Sequence, residues 1–208
     1  MYLSERKEQR RRVFHLHSSS STMKDFSKTP ILQAGDVLIA HPNMPGNLFS
    51  QTLVYLHTHK EEGSLGFILN RPSGHPLSAM VKNQTLPDSF QNLPLSYGGP
   101  VQDDHFLLTL FHCDPQTHRF RLELNPDRER LEQISTRKHC VVKAFLGHAG
   151  WTAGQLEAEL SEQDWMVTKP DEVMLHDRLS IGLWDLFSCE DQRWQSVREQ
   201  LPVNPALN

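Results

Sequence analysis

Most residues of this chain that could do chemistry sit in or beside glycine-rich turns. Asn70 and Arg71 precede Pro72 at the end of an apolar run. An Arg there could clamp a carboxylate or phosphate through its planar fork, or simply pair with a structural acid. Gly98, Gly99 and Pro100 follow a short apolar stretch and could offer backbone N–H groups to an anion. A rigid bend against a neighbouring strand would use the same residues. Gly147 and Gly150 bracket His148 and Ala149, and Trp151 and Gln155 come next. His148 could act as a general base. Trp151 and Gln155 could line a pocket, or anchor packing and bond a loop carbonyl. These nine positions, Asn70, Arg71, Gly98, Gly99, Gly147, His148, Gly150, Trp151 and Gln155, are the candidate ligand-binding set.

The chemistry they lack is as informative. The spacing of Gly147, Gly150 and Gly154 is neither a dinucleotide fingerprint nor a phosphate loop ending in Lys-Ser/Thr. His57 and His59 share a strand face in alternation, yet no third metal ligand accompanies them. His41 and His112 are no better placed, and Cys113 has no feature marking a catalytic thiol. A nucleophile elbow, a zinc-protease helix and a carboxylate pair are all missing from the sequence. The reading is therefore no catalytic residue, no metal and no cofactor.

The elements that hold these residues follow from periodicity. Residues 141–146 form an apolar run broken only by Lys143, read as an interior strand. The glycines at 147 and 150 predict a tight reversal, with an amphipathic helix from about Thr152 carrying Ala153, Leu156 and Leu160 on one face. Strands are also predicted at 36–40, 52–57, 65–70, 95–97, 105–112 and 120–124. The second and third form a hairpin that Arg71-Pro72 stops. Helices are predicted at 76–82, 127–134, 171–175 and 191–201, and Met166-Val167 as a brief extended piece. Hairpins mixed with strand–helix units predict an α/β fold.

The 208 residues suffice for one good core. Residues 1–28 read as a disordered tail and 29–208 as a single domain. Residues 1–17 hold five basic and two acidic side chains, so the rest, with 16 basic and 23 acidic, carries −7. That acidic body disfavours direct nucleic-acid binding. An upstream extension ahead of a start at Met23 is the simpler account of residues 1–22. No apolar run reaches the length of a membrane helix. Three widely spaced cysteines fit a reducing, cytoplasmic setting.

Five stretches together resemble the YqgE/AlgH family of bacterial proteins: GDVLIAHPNM (35–44), TLVYLHTHKEEGSLGFILNRP (52–72), YGGPVQ (97–102), GHAGWTAGQLEAEL with Trp165, and DQRW (191–194). The resemblance covers about residues 31–200. It implies a three-layer α/β fold, a mixed β-sheet flanked by helices with a smaller α+β lobe. The family has no settled reaction, and its label as putative transcriptional regulators reflects a link to alginate control. The amino-terminal tail and the LSIGLWDLF stretch (179–187) depart from its usual pattern.

The functional expectation is a non-enzymatic module that binds a small anionic ligand or a protein partner, with a regulatory effect. The alternatives are an enzyme acting on an anionic small molecule and a transcriptional regulator.

Overall fold

In the computed structural model, residues 32–44, 46–80, 90, 92–114, 116–117, 119–134, 139–170, 172–175 and 184 are described. All lie in the unit Ile31–Ser188. The expected tail, the closing helix and all of the 179–187 stretch but Trp184 lie outside the described residues.

The elements in order are β1 (Val37–Ala40), β2 (Leu53–Lys60), β3 (Gly63–Ile68), β4 (Pro72–Pro76), a 3-10 turn (Leu77–Ala79), β5 (Pro94–Tyr97), β6 (Val101–Cys113), β7 (Phe120–Leu124), α1 (Arg128–Ile134), β8 (Cys140–Thr152), α2 (Gln155–Ser161), β9 (Trp165–Thr168) and α3 (Glu172–Leu175). The fold is α/β, with one large mixed sheet and few helices. The sheet runs β4-β5-β8-β3-β2-β1-β9, with β6 pairing β7 and β8. Only β5 and β8 pair in parallel among the described strands.

β8 organises this sheet because it is used twice. Its first half lies between β5 and β6, with Ala144 opposite both Leu95 and Leu108. Its second half leaves them and pairs with β3, from Gly66↔Ala149 to Gly63↔Thr152. The strand changes neighbours at Gly147, whose φ of 63° only glycine adopts freely. The tight reversal expected at 147–150 is therefore a bend inside a continuous strand. The chain turns later, at Ala153 and Gly154, and the helix begins at Gln155 rather than Thr152.

Three apolar layers follow from strand alternation. Leu38, Val54, Leu56, Ile68 and Ala149 face α2 and the two tryptophans, Trp151 and Trp165. The alternate residues Tyr55 and Phe67 meet Phe111 and Phe145, at 5.0 and 5.1 Å between ring centroids. Beyond β8, Ala144 and Leu146 pack with Leu77, Leu95 and Leu131. Each buried Leu, Ile, Val or Phe among them contributes about 1.5–3 kcal/mol of transfer free energy.

Three polar side chains inside are bonded. Lys143, 1% exposed, donates to the Leu175 carbonyl at 3.3 Å. Tyr55 donates to the Phe120 carbonyl at 3.0 Å, and burial followed by the Asp36 charge raises its phenol pKa. Buried Asp36 accepts from Gln33 N–H and pairs with Lys169.

Two further expectations need correction. Pro72 does not end the β-structure; it opens β4, an exposed strand with one described neighbour, β5. An edge tolerates proline because no ladder bond needs its missing N–H. The helix expected at 76–82 is the single 3-10 turn Leu77–Ala79 among its described residues. The β2–β3 hairpin forms as expected, with a register shift that makes His57 a bulge.

Candidate functional site

The nine candidate residues fall into two groups. Gly98, Gly99, Gly147, His148 and Gly150 meet where the 98–101 segment crosses β8. A Cβ on Gly98 would lie 2.4 Å from the Gly147 carbonyl oxygen, and one on Gly99 would lie 2.2 Å from the His148 carbonyl carbon. These glycines let two backbones touch. The Gly98 N–H is donated to Leu146 O at 2.7 Å, and Gly98 O accepts from Ile68 N at 2.9 Å. That amide is already committed and offers an anion nothing. Beside the crossing, residues 102–105 of β6 stand opposite the single residue Gly147, between the pairs Val101↔His148 and Phe106↔Leu146. His148 Nδ1 is buried without a hydrogen-bond partner among the described residues, and burial lowers the pKa of the ring. Gly150 is exposed.

Asn70, Arg71, Trp151 and Gln155 form the second group; the first three contact one loop, residues 46–51, and Gln155 joins them through Glu159. Asn70 is buried; its Oδ1 accepts from Leu53 N and its Nδ2 donates to Gln51 O, both at 2.9 Å. The Arg71 guanidinium donates to Ser50 O. Within the loop, Asn47 Oδ1 accepts from Phe49 N and Ser50 Oγ accepts from Asn47 N. Phe49 stacks on Trp151 at 6.0 Å and meets Trp165 edge-on at 5.9 Å. Glu159 fixes that aromatic floor. One oxygen, Oε2, accepts both indole N–H groups, from Trp151 at 2.9 Å and Trp165 at 2.8 Å. The other accepts from Gln155 Nε2 at 3.0 Å. Gln155 Oε1 in turn accepts from Thr152 N and Oγ1. From this scaffold Leu48 projects, 50% exposed.

Arg71 and Gly98 are close through their backbones, since Tyr97 N donates to Arg71 O at 2.7 Å. The Arg71 side chain nevertheless goes to the loop. His57 lies against Phe67 with its pKa lowered by burial, whereas His59 bonds Ser64 at 2.8 Å and approaches Glu157 at 3.6 Å. Among the described residues, no three His, Cys, Asp or Glu side chains are placed to hold a metal. No described helix is long and apolar enough to cross a membrane.

Sequence reasoning missed Phe49, Glu159 and Leu48. The available signal was a helix bracketed by two tryptophans, Trp151 and Trp165, whose indole N–H groups need an acceptor when buried.

Comparison with known proteins agrees with this architecture. The sequence pattern of the AlgH-like family matches residues 37–206. A UPF0301 protein of Stutzerimonas stutzeri (strain A1501) is 39% identical over 184 residues, covering 82% of this chain and 89% of that protein. The UPF0301 protein AlgH of Pseudomonas aeruginosa is 38% identical over 152 residues, 67% of this chain and 78% of its own. The solution structure of AlgH from Pseudomonas aeruginosa superposes with a TM-score of 0.52 at 28% identity, covering 88% of this chain and 95% of that one. A crystal structure of a Corynebacterium diphtheriae protein has a TM-score of 0.54 at 21% identity, over 69% and 78% of the two chains, and shares the fold alone. With these matches spanning most of its length, the chain belongs to the AlgH-like family.

Proposed function

We propose that this protein is a non-enzymatic module that binds a protein partner through loop 46–51. The observation that carries the reading is a loop tied from several sides that still presents Leu48 half exposed at its tip. Loops held by a rigid scaffold are favoured binding elements, because little ordering entropy is lost on association. The groups that suggested an anionic ligand are spent elsewhere: Arg71 on Ser50 O, the Gly98 amide on Leu146 O, and Gln155 on Thr152 and Glu159. For this reason the protein-partner reading is preferred to the small anionic ligand and to an enzyme acting on one. A regulatory effect would then run through the partner rather than through DNA. The three widely spaced cysteines of the sequence fit a reducing, cytoplasmic setting.

The test is site-specific photocrosslinking in cells. A photoreactive side chain replaces Leu48, and a control replaces the exposed Arg128 on α1. A discrete adduct at position 48 but not at 128 is expected. No adduct at 48, or the same adducts at both positions, would refute the reading.

A further inference from the structure

We infer that Ser64 is a nucleophile that accepts a small acyl group from an ester or thioester, with His59 as its base and Glu157 positioning that base. The bulge at His57 makes the arrangement possible. In a regular strand His59 would face away from the side Leu56 occupies. The extra residue puts both on the same face, in the pairs Leu56↔Gly66 and His59↔Ser64. Ser64 also stands opposite Trp151 of β8, on the face turned to α2. A hydroxyl, an imidazole and a carboxylate from three elements therefore meet in a line. Ser64 Oγ lies 2.8 Å from His59 Nδ1, and Glu157 Oε1 lies 3.6 Å from His59 Nε2.

This order sets the protons. A carboxylate only accepts, so Nε2 carries the hydrogen of the neutral ring. Nδ1 is left with a lone pair, which accepts from the Ser64 O–H. That is the polarity of a nucleophile, its base and an orienting carboxylate, with the two ring nitrogens exchanged relative to the serine-protease triad. A cross-strand bond that only held the hairpin would work with Ser64 as donor or acceptor; the contact from α2 selects one. In the reaction Ser64 Oγ attacks the acyl carbonyl carbon while its proton passes to Nδ1. The bond from that carbon to the leaving oxygen or sulfur breaks, the leaving group takes the proton from Nδ1, and an ester on Ser64 remains. Ser64 is 9% exposed, which restricts the acyl group to a small one. Ester formation needs no turnover, and the inference is independent of loop 46–51.

The test is acetylation of the full-length protein by p-nitrophenyl acetate, followed over time by peptide mass mapping. Ser161 is the internal reference, since it is exposed and its Oγ donates to the Ala158 carbonyl rather than to a base. Ser64 should gain its ester about tenfold faster than Ser161 despite its burial, a difference that access cannot supply. His59→Gln should bring Ser64 down to the Ser161 rate, and added imidazole should restore acetylation in His59→Ala. For Glu157 the readout is imidazole nitrogen NMR: His59 should be the Nε2–H tautomer in wild type and lose that preference in Glu157→Ala. Ser64 reacting no faster than Ser161, an unchanged rate in His59→Gln, or the Nδ1–H tautomer in wild type would each overturn the inference. p-Nitrophenyl benzoate reacting as fast as the acetate would overturn the restriction to small acyl groups. Unchanged tryptophan emission in each variant shows that the sheet around Trp151 is preserved. None of these outcomes bears on crosslinking at Leu48, so the two readings fail separately.

Discussion

Replacing Glu159 tests whether the carboxylate, rather than apolar packing alone, holds the aromatic floor under loop 46–51. In Glu159→Ala the Trp151 and Trp165 N–H groups lose their acceptor. Both side chains are only 5% exposed, so neither N–H can turn freely to water. A hydrogen bond to a charged group contributes about 1.5–3 kcal/mol. Glu159 itself is part-exposed and already partly solvated, which favours the lower figure for each bond. Two such bonds give a loss of about 3 kcal/mol for Glu159→Ala. Glu159→Gln keeps a carbonyl oxygen that can accept both indoles, as Oε2 now does. It loses charge assistance and sets its amide against that of Gln155, so the expected cost is about 1 kcal/mol. The assay is urea unfolding followed by tryptophan fluorescence, with circular dichroism as a second probe. A 3 kcal/mol loss corresponds to a fall of roughly 6–12 °C in Tm for a chain of this size. Phe49→Leu should cost less in the Glu159→Ala background than in wild type, because the floor it rests on is already loosened. A loss below about 1 kcal/mol for the alanine variant, with unchanged emission, would refute the reasoning.

Three further outcomes follow from the same contacts. Gly99→Ala and Gly147→Ala should each cost more than about 3 kcal/mol in chemical denaturation, because a Cβ meets backbone within 2.5 Å and both φ values are positive. Gly150→Ala should stay within about 0.5 kcal/mol, its nearest neighbour being Val101 Cγ2 at 3.5 Å. Burial lowers the pKa of His57 and His148 below the ordinary 6.5, so unfolding takes up protons at acidic pH. Their contribution is fully present above pH 6.5 and falls as pH drops through that value toward the folded pKa; urea titrations of His57→Gln/His148→Gln should show a shallower loss. Arg71→Ala removes the tie to Ser50 O and should raise the rate of limited proteolysis in loop 46–51 about tenfold, as a 1.4 kcal/mol loss of local stability implies. An unchanged rate would mean that Asn70 and the Phe49 contacts hold the loop without Arg71.

Much of the fold was legible because its strands advertise themselves locally. The apolar runs of β1, β2 and β3, and the alternation of β7, lie where the residue pattern puts them. The failures came where the deciding partner is distant in sequence. Gly147 looks like a turn residue until Gly99 is placed against it, and nothing in residues 140–155 announces that contact. β4 was hidden because Pro72 and Pro76 signal breaks, which an edge strand does not heed. The candidate site was half legible. Asn70, Arg71, Trp151 and Gln155 were singled out as possible ligand contacts, and in the structure their polar groups bond within the chain. Glu159 reads as an ordinary outward helix carboxylate until the pleat of β8 and the start of β9 bring two indoles to it.

The register of β1 bears on how the chain is made. Its inner edge pairs with β2, a short distance along the sequence, but its outer edge pairs with β9, from Val37↔Thr168 to Ala40↔Trp165. Closing that ladder requires the two most widely separated strands of the described chain to meet, which loop-closure entropy makes slow. On the ribosome, the outer row of amides and carbonyls along β1 stays open until Thr168 has been synthesised and released from the tunnel. An unpaired apolar strand edge is a template for association with other chains. Nascent chains and truncated products that stop short of Trp165 therefore expose an apolar β1 edge that β9 covers in the full-length chain.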